Sequence, residues 1–193
     1  MKKTLAALTL SSIGLASVPA MAADYVIDTK GAHAAINFKI QHLGYSWLTG
    51  RFNDFEGSFS YDADKVEDSK ITVTVDTSSI DSNHAERDKH LRSDDFLSTD
   101  KHGEAKFVSK RIENVEDNGE EFDVVGDLTL HGVTKEITIE VEKVGEGEDP
   151  WGGYRVGFEG DVELTLKDFG IDYDLGPASR VVHMELHIEG IRQ

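Results

Sequence analysis

From Ile36 to the C-terminus, the chain alternates apolar and polar residues with a period of two. Ile36, Phe38 and Ile40 alternate with Asn37, Lys39 and Gln41. Ile71, Val73 and Val75 alternate with Thr72, Thr74 and Asp76, and Ile137, Ile139 and Val141 with Glu136, Thr138 and Glu140. The longest stripe is Val156, Phe158, Gly160, Val162, Leu164 and Leu166, and the last is Val182, Met184, Leu186 and Ile188. Successive strand side chains point to opposite faces, so each run makes a strand with one apolar and one polar face. With Phe55 to Tyr61, Ala105 to Ile112 and Phe122 to Leu130, the pattern predicts eight long strands and a short leading piece at Tyr25 to Ile27. Such strands must close into a barrel or stack as two sheets to hide their apolar faces.

The connections point to antiparallel neighbours. Asn118-Gly119 suits a type I′ hairpin turn, and His131-Gly132 leaves room for little else. Asp149-Pro150-Trp151-Gly152-Gly153 reads as a longer loop. One segment reads as helix: Asn83 as cap, Glu86 three residues later, then a run to Arg92 without proline, glycine or β-branched residues. It lies in the long connection between the strands ending near Thr77 and starting near Glu104. There is no solenoid repeat, linker or low-complexity tract, so residues 23–193 are expected to form a single domain.

The opening residues carry a different signal. Lys2 and Lys3, an apolar stretch from Leu5 to Val18, Pro19 and Ala20-Met21-Ala22 match a secretory leader. Cleavage is expected after Ala22, which would place the mature protein in a bacterial periplasm or outside the cell. The net charge of -17 excludes the cationic face that nucleic acid requires, and a polybasic membrane anchor with it. The absence of cysteine excludes disulfides and thiolate chemistry.

Chemistry is sparse. There is no G-x-S-x-G, P-loop or Gly-rich dinucleotide loop. The eight histidines are scattered, without H-E-x-x-H or another strong ligand spacing, so no metal site is expected. Arg87 and Asp88 read as a structural ion pair pinning helix to barrel, or as a rim touching a head group. The apolar faces are more informative. Gly57, Gly126 and Gly160 stand where large side chains are expected. Interior strand glycines mark bends or the close approach of something else. An eight-stranded barrel is just wide enough to be filled by side chains or to hold one small ligand. Strands of this length would give a lumen about 25–30 Å long, suited to a linear lipid tail.

A resemblance sharpens this reading. Phe38-Lys-Ile-Gln-His42-Leu-Gly44-Tyr-Ser46, Gly50-Arg-Phe52 and Phe55-Glu-Gly57 resemble the opening signature of the YceI-like lipid/polyisoprenoid-binding family. So do Ser79-Ile80-Asp81, Arg87-Asp88-Lys-His90-Leu91-Arg92-Ser93, Gly126-Asp-Leu128-Thr129-Leu-His-Gly132 and Asp168-Phe169-Gly170-Ile171. The resemblance spans essentially the whole mature chain. It implies a mainly β fold: an eight-stranded antiparallel lipocalin-like barrel with one short helix in a long connection. It also implies an apolar tunnel for an isoprenoid quinone or a similar long amphiphile, no established catalysis, no further cofactor, and a plausible homodimer.

With strand parity, this leads to a ligand-binding set. The tail is expected against Phe38, Ile40, Phe55, Phe59, Leu128, Phe158, Val162, Leu164 and Met184, and the head near a mouth bordered by His42, Ser46, Arg87 and His90. No catalytic residue is expected. Two rivals stand beside a periplasmic carrier or buffer of an isoprenoid lipid. One is an enzyme acting on a hydrophobic substrate through Asp88, His90 or Asp95. The other is a filled barrel that binds partners through its acidic surface.

Overall fold

The computed structural model describes residues 22–193. The leader expected over residues 1–22 lies outside this range except for Ala22. The strands are β1 (Ala23–Ile27), β2 (Ala35–His42), β3 (Ser46–Phe52), β4 (Phe55–Tyr61), β5 (Lys70–Asp76) and β6 (Ile80–Asp81). After helix α1 (Ala85–Leu91) come β7 (Glu104–Glu116), β8 (Glu121–Leu130), β9 (Val133–Glu148), β10 (Tyr154–Thr165) and β11 (Val181–Arg192).

These eleven segments make eight staves. β1 and β2 pair successively with β11, Ile27 opposite Gly190 and Ala35 opposite His187, so they are one stave interrupted at 28–34. β3 pairs with β2 and β4 with β1, forming a second stave broken at Asn53-Asp54. β5 and β6 make the third, pairing with β4 and β3. β7, β8, β9, β10 and β11 follow as an antiparallel meander, and β11 closes the ring on β1 and β2. The result is a closed antiparallel barrel with one helix, as the alternation and the resemblance imply. Closure through β11 leaves only the two-residue β6 without a strand on its outer side.

Turn chemistry holds in part. His131 and Gly132 sit at φ +52° and +75° between paired Leu130 and Val133, a two-residue type I′ turn. The Asn118-Gly119 turn is longer than expected. Glu116 pairs with Glu121, and Asp117, Asn118 and Gly119 all have positive φ, so four residues span it. Val66 is buried beneath it, and a Cβ on Gly119 would lie 2.7 Å from the Val66 side chain.

The core is divided between the two ends. Tyr25, Ile27, Phe59, Tyr61, Val66, Phe122, Val124 and Val156 belong to one buried cluster, toward the end closed by residues 62–69, 117–120 and 149–153. Phe38, Ile80, Phe96, Leu97 and Ile171 form a second, under the helical connection at the other end.

A charge cluster holds the 28–34 interruption in place. Arg155 donates to Asp28 and to Asp149, both at 2.8 Å, and also pairs with Glu189. The Arg155 and His33 hydrogen bonds outweigh burial and lower the Asp28 carboxyl from its ordinary 3.8 to about 2. A carboxyl depressed on folding stabilises the protein above its unfolded value and loses that contribution as pH falls through the folded one. Asp28 therefore contributes up to about 2 kcal/mol at neutral pH. Urea midpoints of the wild type and Asp28→Asn should differ most above pH 4 and converge toward pH 2.

Candidate ligand-binding site

The site begins with side-chain parity. On β10 and β11, Phe158, Val162, Val182, Met184, Leu186 and Ile188 point inward, yet all are only half-buried. Leu128 and Leu130 on β8 behave the same way. Inward residues remain partly exposed only where nothing packs on them. They surround a cavity of about 560 Å³ between the two apolar clusters. Its wall is overwhelmingly hydrocarbon, so water gains few partners there and an apolar chain gains many contacts. The filled-barrel reading is thereby corrected: the inward surfaces do not pack each other completely.

Phe38, Ile40, Phe59, Leu128, Phe158, Val162, Leu164 and Met184 all line this shaft, as do His42, Arg87 and His90 at its helical end. Ser46 and Phe55 do not. Ser46 is exposed at the start of β3, beyond the rim. Phe55 is half-buried and packs against the first cluster rather than the void. Strand parity cannot find the lining that comes from connections: Leu91 at the end of α1, Phe96 and Leu97 after it, and Ile171 and Leu175 after β10. Leu91 is the one the helical reading could have placed, since it shares a face with Arg87.

The interior glycines do less for the ligand than their positions suggest. At Gly126 a Cβ would stand 2.5 Å from both the Phe107 ring and the Val108 carbonyl oxygen, and at Gly57 it would stand 2.6 Å from Ile27. Those gaps are filled by neighbours. Gly50 and Gly190 likewise lie beneath the rings of Phe38 and Phe59. Gly160 differs, because it lines the shaft and a Cβ there would meet Ile139 at 3.2 Å, Leu186 at 3.5 Å and the Glu140 carbonyl oxygen at 3.6 Å, with no contact under 3.0 Å.

The helical end is held by backbone capture. The buried Asp88 carboxylate accepts from the Ser82 N–H at 2.8 Å and from the Ser82 hydroxyl. Burial pushes this carboxyl up, but the two Ser82 bonds and the nearby Arg92 and Arg87 outweigh it and hold it below its ordinary value. Arg87 donates to the Ser82 hydroxyl and carbonyl, and Arg92 to the carbonyls of Ser78 and Ile80. Arg87 and Asp88 are thus joined through Ser82 rather than paired directly. The helix cap also moves by one residue. Asn83 donates its N–H to Asp81 and sits at φ +59°, so His84 accepts from the Arg87 N–H instead.

Asp88 does not join His90 and Asp95. Asp88 is turned onto Ser82, while His90 meets Asp95 at 2.9 Å on the exposed side and lies edge-on to Phe96 and Tyr173. At the far end of the shaft, burial pushes the Tyr61 phenol up to about 12, so it stays neutral. Asp28, His33 and Glu189 are close enough together to hold a cation, but the Arg155 guanidinium already pairs with both carboxylates. His183 and His187 face outward beside Glu163 and Glu159.

A closed antiparallel barrel around an apolar shaft, with a helical connection at one end, defines the lipocalin-like binding barrels. The chain belongs to the YceI-like domain family, whose model matches residues 25–190. It is 52% identical to protein YceI of Shigella flexneri over 193 residues, all of both chains. The crystal structure of the Campylobacter jejuni YCEI protein superposes with a TM-score of 0.72 at 27% identity, covering 80% of this chain and 91% of that one. A polyisoprenoid binding domain from Saccharophagus degradans, implicated in plant cell wall breakdown, shares the fold at TM-score 0.63 and 15% identity, covering 90% of this chain and all of that one.

Proposed function

We propose that the protein is a non-enzymatic carrier or buffer for a long isoprenoid lipid, a quinone or polyprenyl amphiphile, exported to the periplasm with cleavage after Ala22. The family and the fold are those of a binding protein. The observation that carries the reading is the row of inward residues on β8, β10 and β11 left half-covered around the 560 Å³ shaft. Each methylene brought there from water contributes about 0.8 kcal/mol, so a long hydrocarbon is held without any charge pairing. The name of the Saccharophagus degradans domain supports an isoprenoid as the hydrocarbon. Arg87, His90 and His42 supply hydrogen-bonding groups where a polar end would emerge. The enzyme reading has no comparable support, since Asp88 is engaged by Ser82 and the His90–Asp95 pair lies on the exposed side.

The test is chemical extraction. Protein exported by its native route, purified without detergent and extracted with organic solvent should release one lipid in near-stoichiometric amount by mass spectrometry. An empty extract would reject the carrier.

A further inference from the structure

The helical end of the shaft is rimmed by apolar side chains that the barrel does not require. Leu43, at the tip of the β2–β3 turn, lines the shaft and is also 54% exposed. Tyr45 beside it is 86% exposed, and Trp47 on the outer wall just below is 49% exposed. Tyr173 stands against His90 and Phe96 and is 44% exposed. Leu43 has φ +52°, a left-handed conformation that suits asparagine or glycine and penalises a leucine. Folding alone would favour another residue at this tip.

Charge is distributed unevenly between the two ends. Residues 41–47 contain no Asp, Glu, Lys or Arg in a chain of net charge -17. The other segments of the helical end, 82–103 and 166–180, hold eight acidic and six basic residues, a net of -2. The far-end segments, 62–69, 117–120 and 149–153, hold seven acidic residues and one basic residue, a net of -6. The exposed lining residues His42, Leu43 and His90 thus stand at the aromatic, nearly neutral end, while acidity gathers at the opposite one.

We infer that the Leu43–Tyr45–Trp47 rim, with Tyr173 across it, docks on the surface of a zwitterionic phospholipid bilayer and presents the shaft to the acyl layer. This rests on the carrier reading and names where the cargo is exchanged. Tyrosine and tryptophan settle at head-group depth, and a leucine between them reaches the acyl boundary. No basic cluster draws the rim to anionic lipid, and the acidic bulk of the protein is repelled by it, so attachment is hydrophobic and the acidic end faces water. Docking also spares the cargo a passage through water, where every exposed methylene is costly.

The chain's two tryptophans make the orientation measurable, because Trp47 is at the rim and Trp151, 80% exposed, is at the far end. In Trp151→Phe, Trp47 should shift to the blue on adding phosphatidylcholine vesicles and be quenched by lipids with brominated acyl chains. In Trp47→Phe, Trp151 should do neither. Leu43→Asn combined with Tyr45→Ser should keep the wild-type melting temperature or raise it, yet lower the vesicle-bound fraction by about tenfold or more. Vesicles enriched in phosphatidylglycerol should bind less. A silent Trp47, an equal response from both indoles, or undiminished binding by the double variant would each overturn the docking. Trp47 decides the docking and the solvent extract decides the carrier, so a lipid-filled protein with a silent Trp47 would lose only the former.

Discussion

Gly160→Leu should empty the protein of lipid while leaving it as stable as the wild type, or more so. Gly160 lies on β10 with its missing side chain directed into the shaft, and its nearest obstacles are the Ile139 Cγ2 methyl at 3.2 Å, which must give by a few tenths of an ångström, and the end of Leu186 at 3.5 Å. Its φ is not in the positive range, so any residue can follow the strand there. Replacing a strand glycine removes an entropic penalty and supplies a side chain to pack. The new isobutyl group takes space that the cargo needs. Overpacking of this kind costs about 1–3 kcal/mol to whatever must share the space, so the lipid recovered per protein should fall by about tenfold or more. Adding Val162→Phe, one step along the same wall, should remove the remainder. Melting temperature and extracted lipid are read from one preparation. An unchanged extract from the double variant would mean that the lipid does not occupy this shaft.

Gly126→Val should do the opposite and damage the barrel itself. Gly126 faces inward on β8, but the Phe107 ring already covers it, and the Val108 carbonyl oxygen lies 2.5 Å from where the Cβ would stand. The ring could turn aside, but the carbonyl is held in the β7–β8 ladder. The expected loss is about 3 kcal/mol or more, at the upper end of overpacking effects and seen as a shift in urea midpoint. Phe107→Ala in the same chain should recover part of the stability by freeing the space above β8, although the backbone contact remains. A Gly126→Val protein with wild-type stability would show that the ring and the carbonyl do not constrain this position.

The contrast between these two glycines marks how far the sequence could be read. Alternation identifies which face of each strand points inward, so parity alone places Phe38, Ile40, Leu128, Phe158, Val162, Leu164 and Met184 against the shaft, where they lie. It cannot tell a gap filled by a neighbouring ring from a gap left open, because that depends on the register across strands. Gly57 and Gly126 belong to the first kind and Gly160 to the second. Phe55 shows the same limit. Its parity is inward, but the break at Asn53-Asp54 sets it against the buried cluster rather than the void. Phe96, Leu97, Ile171 and Leu175 lie in connections, which carry no periodicity that would point them anywhere. The helix is visible from its composition. Its cap is not, because the Asp81 side chain captures the Asn83 N–H and leaves the role to His84.

The division of the core has its own consequence. Two apolar knots are tied at opposite ends, and the middle has little of its own to bind one to the other. On the proposed reading a bound lipid would supply the missing rivet, since a ligand bound only by the native state deepens that state by mass action. If the proposed carrier role holds, occupied molecules would outlast vacant ones wherever proteases patrol, and the standing amount of this protein would follow the supply of its ligand.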